Sequence, residues 1–292
     1  MTEAFDNPHE PIANAAEAEF WNSASGRKWV EQERALDAAL ADPLAALIEA
    51  AAIEAGDVVL DVGCGTGAST LMAAEAASSG SVTGIDVSTP MLERASERAR
   101  AAGLANARFV LADAQTHAFE AAACDVAISR FGVMFFENPV AAFGNLLGAL
   151  RPGGRIAFVT WAALADNPWF SLPREIAVAR LGPLPAGDPN APGPMAFQDI
   201  SRVVAILRAA GFGEVEGRAI APMLTPPGDA AAVARTAGQI GPAARALRLY
   251  EAGAEDAAAI EASLTEALRA YEVDGAVRIP AALNLYTARR PS

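Results

Sequence analysis

Three observations predict an α/β protein built on a doubly wound parallel sheet. Short apolar runs recur at 58–62, 81–87, 108–111, 125–129 and 155–160. Helical stretches separate them at about 68–78, 90–102 and 139–150, an alternation that calls for parallel strands joined by right-handed crossovers. The first run ends in "DVVLDVGCGTGA" (57–68), where Gly63-x-Gly65-x-x-Ala68 has the spacing of a strand-to-helix turn that binds a nucleotide.

The remaining elements follow in order. Residues 1–16 read as a flexible tail. The pattern from Glu17 to Ala55 is helical, carried by Trp21, Trp29, Leu36, Leu40, Leu44, Leu47 and Ile48. Asp42-Pro43 divides it, with Asp as N-cap and Pro at the first helical position. That places a helical cap at 17–42 and a cofactor-binding core at 43–162. Arg151-Pro152-Gly153-Gly154 ends the last core helix. The stretch 163–198 is rich in Pro and Gly and reads as a loop-rich insertion, with a helix near 173–181. Residues 199–222 return to the core as an amphipathic helix, stopped by Gly211, and a strand at 214–221. An Ala-rich helical segment follows, broken at Gly241-Pro242 and Gly253, within an inserted lid at 223–278. A last core strand is expected at 279–288, within the terminal segment 279–292.

Composition narrows the function classes. The chain of 292 residues is 52% hydrophobic and has a formal charge of −13, and Lys28 is its only lysine. An acidic chain with scattered arginines is a poor match for nucleic acid. No run of about 20 apolar residues marks a membrane span, and Met1–Glu10 does not read as a signal peptide. A soluble cytoplasmic protein is the expectation. Cys64 and Cys124 lack partners at metal-ligand spacing, so no metal is expected.

The carboxylates around the glycines carry the chemistry. Asp61 sits on the tip of the first strand, where it would repel a dinucleotide's pyrophosphate and attract an ammonium group. S-adenosylmethionine (SAM) carries both an ammonium and a sulfonium. Asp86 ends the second strand in "VTGIDVS", beside Val87, and reads as an acceptor for ribose hydroxyls or as a helix N-cap, with Ser88 and Thr89 as rival caps. Asp113 in "LADAQTH" can accept from an adenine amine, with the Ala114 N–H directed at the ring, or can be an ordinary loop residue. Met91 is placed to pack on the adenine or in the core.

Together these residues resemble the class I SAM-dependent methyltransferases, in the small-molecule branch that includes ubiquinone/menaquinone C-methyltransferases. The matching stretches are "VLDVGCGTG" (59–67), "VTGIDVSTPMLERA" (82–95), "FVLADAQT" (109–116), "DVAISRFGVMFFENP" (125–139), "LLGALRPGGRIAFVTW" (146–161) and "ILRAAGF" (206–212). The resemblance implies a Rossmann-like sheet of seven strands whose last strand enters antiparallel. It implies that Asp61, Gly63, Gly65 and Gly67 surround the methionine part of SAM, Asp86 the ribose, and Asp113 and Ala114 the adenine. Arg130 would lie near the sulfonium, acting more through its main chain than its guanidinium. Trp21 and Trp29 fit a "WN…G..W" pattern and either cover the cofactor or anchor the cap. The sequence lacks the N/D-P-P-Y/F of methyltransferases acting on adenine or glutamine amino groups; "SRFGVMFF" stands in its place.

The implied reaction is in-line methyl transfer to a small organic acceptor, centred on O, C or N, with S-adenosylhomocysteine (SAH) as product. Catalytic candidates are Arg130, as a guide for an anionic acceptor, and His117 as a base; His9 lies in the tail. Phe131, Met134, Phe135 and Phe136 form either a wall for a ring-shaped acceptor or part of the core. The expected assembly is a monomer or homodimer. Two alternatives are an NAD-dependent oxidoreductase, which Asp61 and the lack of any Tyr-x-x-x-Lys pair oppose, and a non-catalytic SAM- or SAH-binding regulator.

Overall fold

The computed structural model describes residues 13–292. Its centre is one sheet of seven strands: β1 (Val58–Val62), β2 (Ser81–Asp86), β3 (Ala107–Leu111), β4 (Cys124–Arg130), β5 (Leu150–Trp161), β6 (Gly213–Ile220) and β7 (Leu283–Arg289). Their order is β3-β2-β1-β4-β5-β7-β6. β1 pairs in parallel with β2 (Val59↔Val82) and with β4 (Val59↔Val126). β7 runs antiparallel to both β5 (Leu285↔Val159) and β6 (Leu285↔Arg218). Chain order reverses across the β1–β4 boundary, the switch point where such sheets open a ligand crevice at their carboxyl ends.

Helices cover both faces because the central strands are apolar on both. β1 is buried from Val59 to Val62 and β4 from Asp125 to Ser129. One face packs Leu47, Val59, Val82, Ile128 and Val159 under α4 (Ala41–Ala51) and α5 (Ala68–Ala76). The other stacks aromatics: Phe143 of α7 (Pro139–Ala149) lies 5.3 Å from Phe158, which lies 4.9 Å from Tyr286. The crossover after β2 is α6 (Thr89–Ala101).

The cap consists of α1 (Ala15–Asn22), α2 (Ala24–Glu31) and α3 (Glu33–Ala39). It differs from the sequence expectation at both ends. Residues 1–12 of the expected tail, His9 included, lie outside the described residues. Asn14, assigned to that tail, is instead buried and bonded to Asp113. α4 begins at Ala41 behind Leu40, so Asp42 and Pro43 occupy its first turn and Asp42 is not the N-cap.

The two excursions pack together. α8 (Pro168–Leu181) follows β5, and α9 (Ile200–Ala209) leads to β6. α10 (Ala230–Gln239), α11 (Gly241–Leu249) and α12 (Ala254–Leu268) are separated at Gly241 and Gly253. Asn167, fully buried, bonds the Ala282 N–H and carbonyl, each at 3.0 Å, and so ties the first excursion to the last strand. The Gln32 amide reaches Gln239 at 3.2 Å, and Thr225 N–H donates to Ala39 O at 3.3 Å, which joins lid to cap. The strand expected over 279–288 divides. Ile279–Pro280 pairs with Met223–Leu224 in a separate ribbon, and only Leu283–Arg289 enters the sheet. Pro280 has no N–H to continue a ladder.

Candidate functional site

The glycine turn is shaped by backbone packing. Gly63, Gly65 and Gly67 have φ of +66°, +54° and +89°, the left-handed region that glycine enters without strain. A Cβ on Gly63 would lie 2.6 Å from the Cα of Gly132 in the loop after β4, and one on Gly67 would lie 2.9 Å from the Ala95 Cβ of α6. At Gly65 the nearest atom would be Met91 Sδ, at 3.8 Å. Gly65 therefore leaves room above the turn, with Met91 buried beneath it.

Asp61 is fully buried at the end of β1. Its Oδ2 accepts from Ser69 Oγ at 2.7 Å and Thr70 Oγ1 at 2.6 Å, both in the first turn of α5. Its Oδ1 is buried with no hydrogen-bond partner among the described residues. Burial pushes the carboxyl up to about 6, opposed by the two hydroxyls and by the charge of Arg130.

Asp86 braces the turn. One oxygen accepts from Gly65 N–H at 2.8 Å and the other from Ser88 N–H at 2.9 Å. Burial raises its pKa against those bonds. A carboxylate has about four acceptor positions, so two remain. The expected side-chain caps are not formed: the Ser88 hydroxyl donates to Trp21 O at 2.9 Å. Asn22 then closes a two-way bond to the same loop, its amide donating to Val87 O at 2.8 Å and its carbonyl accepting Thr89 N–H at 3.0 Å.

These contacts explain the "WN…G..W" spacing. Trp21 meets Trp29 and Phe135 edge-on, each at 5.5 Å between centroids. A Cβ on Gly26 would lie 1.9 Å from Trp21 O, so only glycine lets α2 close on α1. Burial raises the half-buried Glu17 carboxyl, and the Trp21 side chain opposes that.

At the end of β3, Asp113 is buried and its Oδ1 accepts from Gln115 N–H at 2.9 Å. Asn14 donates twice to the same carboxylate, from its side chain to Oδ1 at 2.7 Å and from its backbone to Oδ2 at 2.9 Å. Ala114 is also buried. His117 stands on this edge of the sheet, its ring against Phe119 at 4.8 Å. Arg130 ends β4, three strands from β3 and about 14 Å across the sheet, so the loop after β3 that carries His117 starts far from Arg130.

Arg130 extends from the end of β4, and its guanidinium rather than its main chain enters the charge network. Its Nη2 pairs with Asp37 at 3.4 Å, while Nη1 is buried without a hydrogen-bond partner among the described residues. Burial pulls its pKa down, and Asp37 and Asp61 oppose that. Asp37 also holds Arg98 at 2.6 Å, and Arg98 donates to Thr66 O at 2.8 Å. Glu33 joins Arg94 and Arg98. The sequence analysis assigned no role to Glu33, Asp37, Asn14 or Asn22. Only Asn22 had a sequence signal, as the Asn of the "WN…G..W" pattern.

Next to Arg130, Phe131 takes φ +66° and stacks on Trp161 at 4.7 Å and 9°. Phe170 meets Trp161 edge-on at 4.8 Å. Phe131 and Phe135 are half-buried, whereas Met134 and Phe136 are core residues, 1% and 8% exposed. Of the expected four-residue wall only Phe131 and Phe135 stay half-buried, and Trp161, itself a core residue, backs Phe131. Among the described residues no cluster of His, Cys, Asp or Glu could hold a metal ion, and no helix is long and apolar enough to cross a membrane.

A doubly wound sheet with an antiparallel penultimate strand and an acidic glycine turn is the architecture of the Rossmann-like methyltransferases. Residues 59–154 match the family model of the methyltransferase domain. It is 40% identical over 106 residues to the aklanonic acid methyltransferase DauC of Streptomyces sp. (strain C5), covering 36% of this chain and 48% of that one. It is 28% identical over 172 residues to the ubiquinone/menaquinone biosynthesis C-methyltransferase UbiE of Ruegeria sp. (strain TM1040), covering 56% and 69%. The chain spans about half the length of most curated relatives it matches. The fold is similar to a Haemonchus contortus phosphoethanolamine N-methyltransferase 2 solved with SAM, at 16% identity and a TM-score of 0.60, covering 94% of this chain and 60% of that one.

Proposed function

We propose that the protein is a SAM-dependent methyltransferase acting on a small organic acceptor. The observation that carries this reading is a pair of buried polar atoms at the switch point, Asp61 Oδ1 and Arg130 Nη1, that have no hydrogen-bond partner among the described residues. A carboxylate and a guanidinium left open together suit the ammonium and carboxylate of an amino acid. A pyrophosphate would instead be repelled by Asp61. The two open acceptor positions on Asp86 suit ribose hydroxyls, beside Val87. Asp113 and Ala114 suit the adenine, with Met91 below the turn and Trp29 in the cap above.

Bound SAM supplies an activated methyl group on a sulfonium. The chain's own residues bind, orient and exclude water. Asp61 and Arg130 fix the amino-acid end, and Phe131, backed by Trp161, and Phe135 offer aromatic surface to an apolar or ring-bearing acceptor. Such alignment supplies up to roughly 7–11 kcal/mol without a general base. Arg130 is the catalytic candidate nearest that wall; His117, on the far edge, is the weaker one. Relatives named for aklanonic acid and for ubiquinone/menaquinone biosynthesis support a small-molecule acceptor. The reading places a monomer or homodimer in the cytoplasm, without metal or nucleic acid.

Calorimetry with SAM, SAH and NADH tests it. Binding of both sulfur ligands is expected, and binding of NADH alone would overturn the proposal. Methyl transfer to an acceptor separates an enzyme from a SAM-binding regulator.

A further inference from the structure

We infer that Asn14 is a positioning residue that sets base specificity in the nucleoside site, an inference that rests on the SAM reading above. Asp113 terminates β3 and is 3% exposed, so its acceptor positions can be counted from its protein partners. Oδ1 accepts from Asn14 Nδ2 at 2.7 Å and from Gln115 N–H at 2.9 Å, and Oδ2 accepts from Asn14 N–H at 2.9 Å. A carboxylate offers about two positions per oxygen. Among the described residues Oδ1 is therefore filled, and Oδ2 keeps one.

Asn14 is itself held at every polar group. Its Oδ1 accepts from Glu137 N–H at 2.6 Å, in the loop before α7, and its backbone carbonyl accepts Ala18 N–H at 2.9 Å inside α1. The carboxamide thus bridges the loop after β3 to the loop after β4 and locks the carboxylate plane of Asp113. What remains is a single acceptor of fixed direction. It suits one N–H of an exocyclic amine. A base with a carbonyl at that position would set a lone pair against it, and a buried acceptor facing an acceptor has no water to relieve it. Without Asn14 the carboxylate can rotate and hydrate, and the preference for an amine is lost.

The test measures affinity for SAH and for S-inosylhomocysteine, in which a carbonyl replaces the adenine amine, on the wild-type chain and on Asn14→Ala. The wild type is expected to prefer SAH by tenfold or more. Asn14→Ala is expected to weaken SAH about tenfold while leaving the inosine analogue within twofold, so that the preference collapses. Asn14→Ser, which keeps the backbone donor and lacks the amide donor, is the second variant if the alanine chain does not fold, and the same collapse is expected of it. Tighter SAH binding by the variants would mean that Asn14 competes with the base, and would overturn the inference. An equal loss for both ligands, or no loss, would overturn it as well. Failure of the wild type to bind SAH would refute the SAM reading itself.

Discussion

Asp61 is held in a state that burial disfavours, and its replacement by asparagine should make the protein more stable while weakening its ligand site. The side chain is fully buried, one oxygen has no partner among the described residues, and burial pushes its carboxyl up to about 6 against an ordinary 3.8. At about 1.36 kcal/mol per pH unit, that difference amounts to about 3 kcal/mol held against the folded state once Asp61 is ionised. The sign follows from the raised value. Between pH 3.8 and about 6 the folded state binds the extra proton, so the group's relative stability is full below about 3.8 and is lost as pH rises through about 6. In Asp61→Asn the amide oxygen can still accept from Ser69 and Thr70, no charge is buried at position 61, and Asp37 still faces the Arg130 guanidinium. Thermal melts of both chains at pH 7.5 and pH 4.5 test this. The variant should melt several degrees higher at pH 7.5, and the gap should narrow at pH 4.5. Its affinity for SAH should fall at least tenfold, through loss of the ammonium's partner. A gap independent of pH, or a variant less stable at pH 7.5 with unchanged SAH affinity, would refute the reasoning.

Three other outcomes are expected. Gly63→Ala should destabilise by several kcal/mol, because its Cβ would meet backbone at 2.6 Å at a positive φ, whereas Gly65→Ala, meeting only Met91 Sδ at 3.8 Å, should lose about 1 kcal/mol from φ strain alone; denaturant melts compare them. Asn22→Ala removes its two bonds to the loop after β2 and leaves the Ser88–Trp21 bond, and should raise hydrogen exchange across α1 and α2 and weaken SAH severalfold, with α10–α12 unchanged. Arg130→Gln leaves Asp37 paired to Arg98, and should weaken SAM at least tenfold in calorimetry while weakening a SAM analogue without its carboxylate far less.

Much of the core was legible because its signals are local. An apolar run that is buried on both faces looks the same in sequence as in the sheet, and a positive φ leaves glycine at Gly63, Gly65 and Gly67. The antiparallel entry of β7 was expected from the resemblance and is what the sheet shows. The extent of the last strand was misjudged because Ile279 and Pro280 have strand-like composition but pair with Met223–Leu224. Composition does not encode a partner. Phe131, Met134, Phe135 and Phe136 form one apolar stretch in sequence, and only packing divides it into core and cleft.

By itself, the sequence determined the order of strands and helices, the glycine turn, and the three carboxylates at consecutive strand ends. Each depends on residues within a few positions of one another, where backbone sterics and apolar periodicity act. The tertiary structure decided how those carboxylates are engaged. Among the described residues Asp61 keeps one oxygen open, Asp86 gives one oxygen to the turn and one to its own loop, and Asp113 is held by Asn14 from 99 residues away. A hydrogen bond at that separation leaves no periodicity or spacing in the chain, because only the folded backbone brings its two ends within reach.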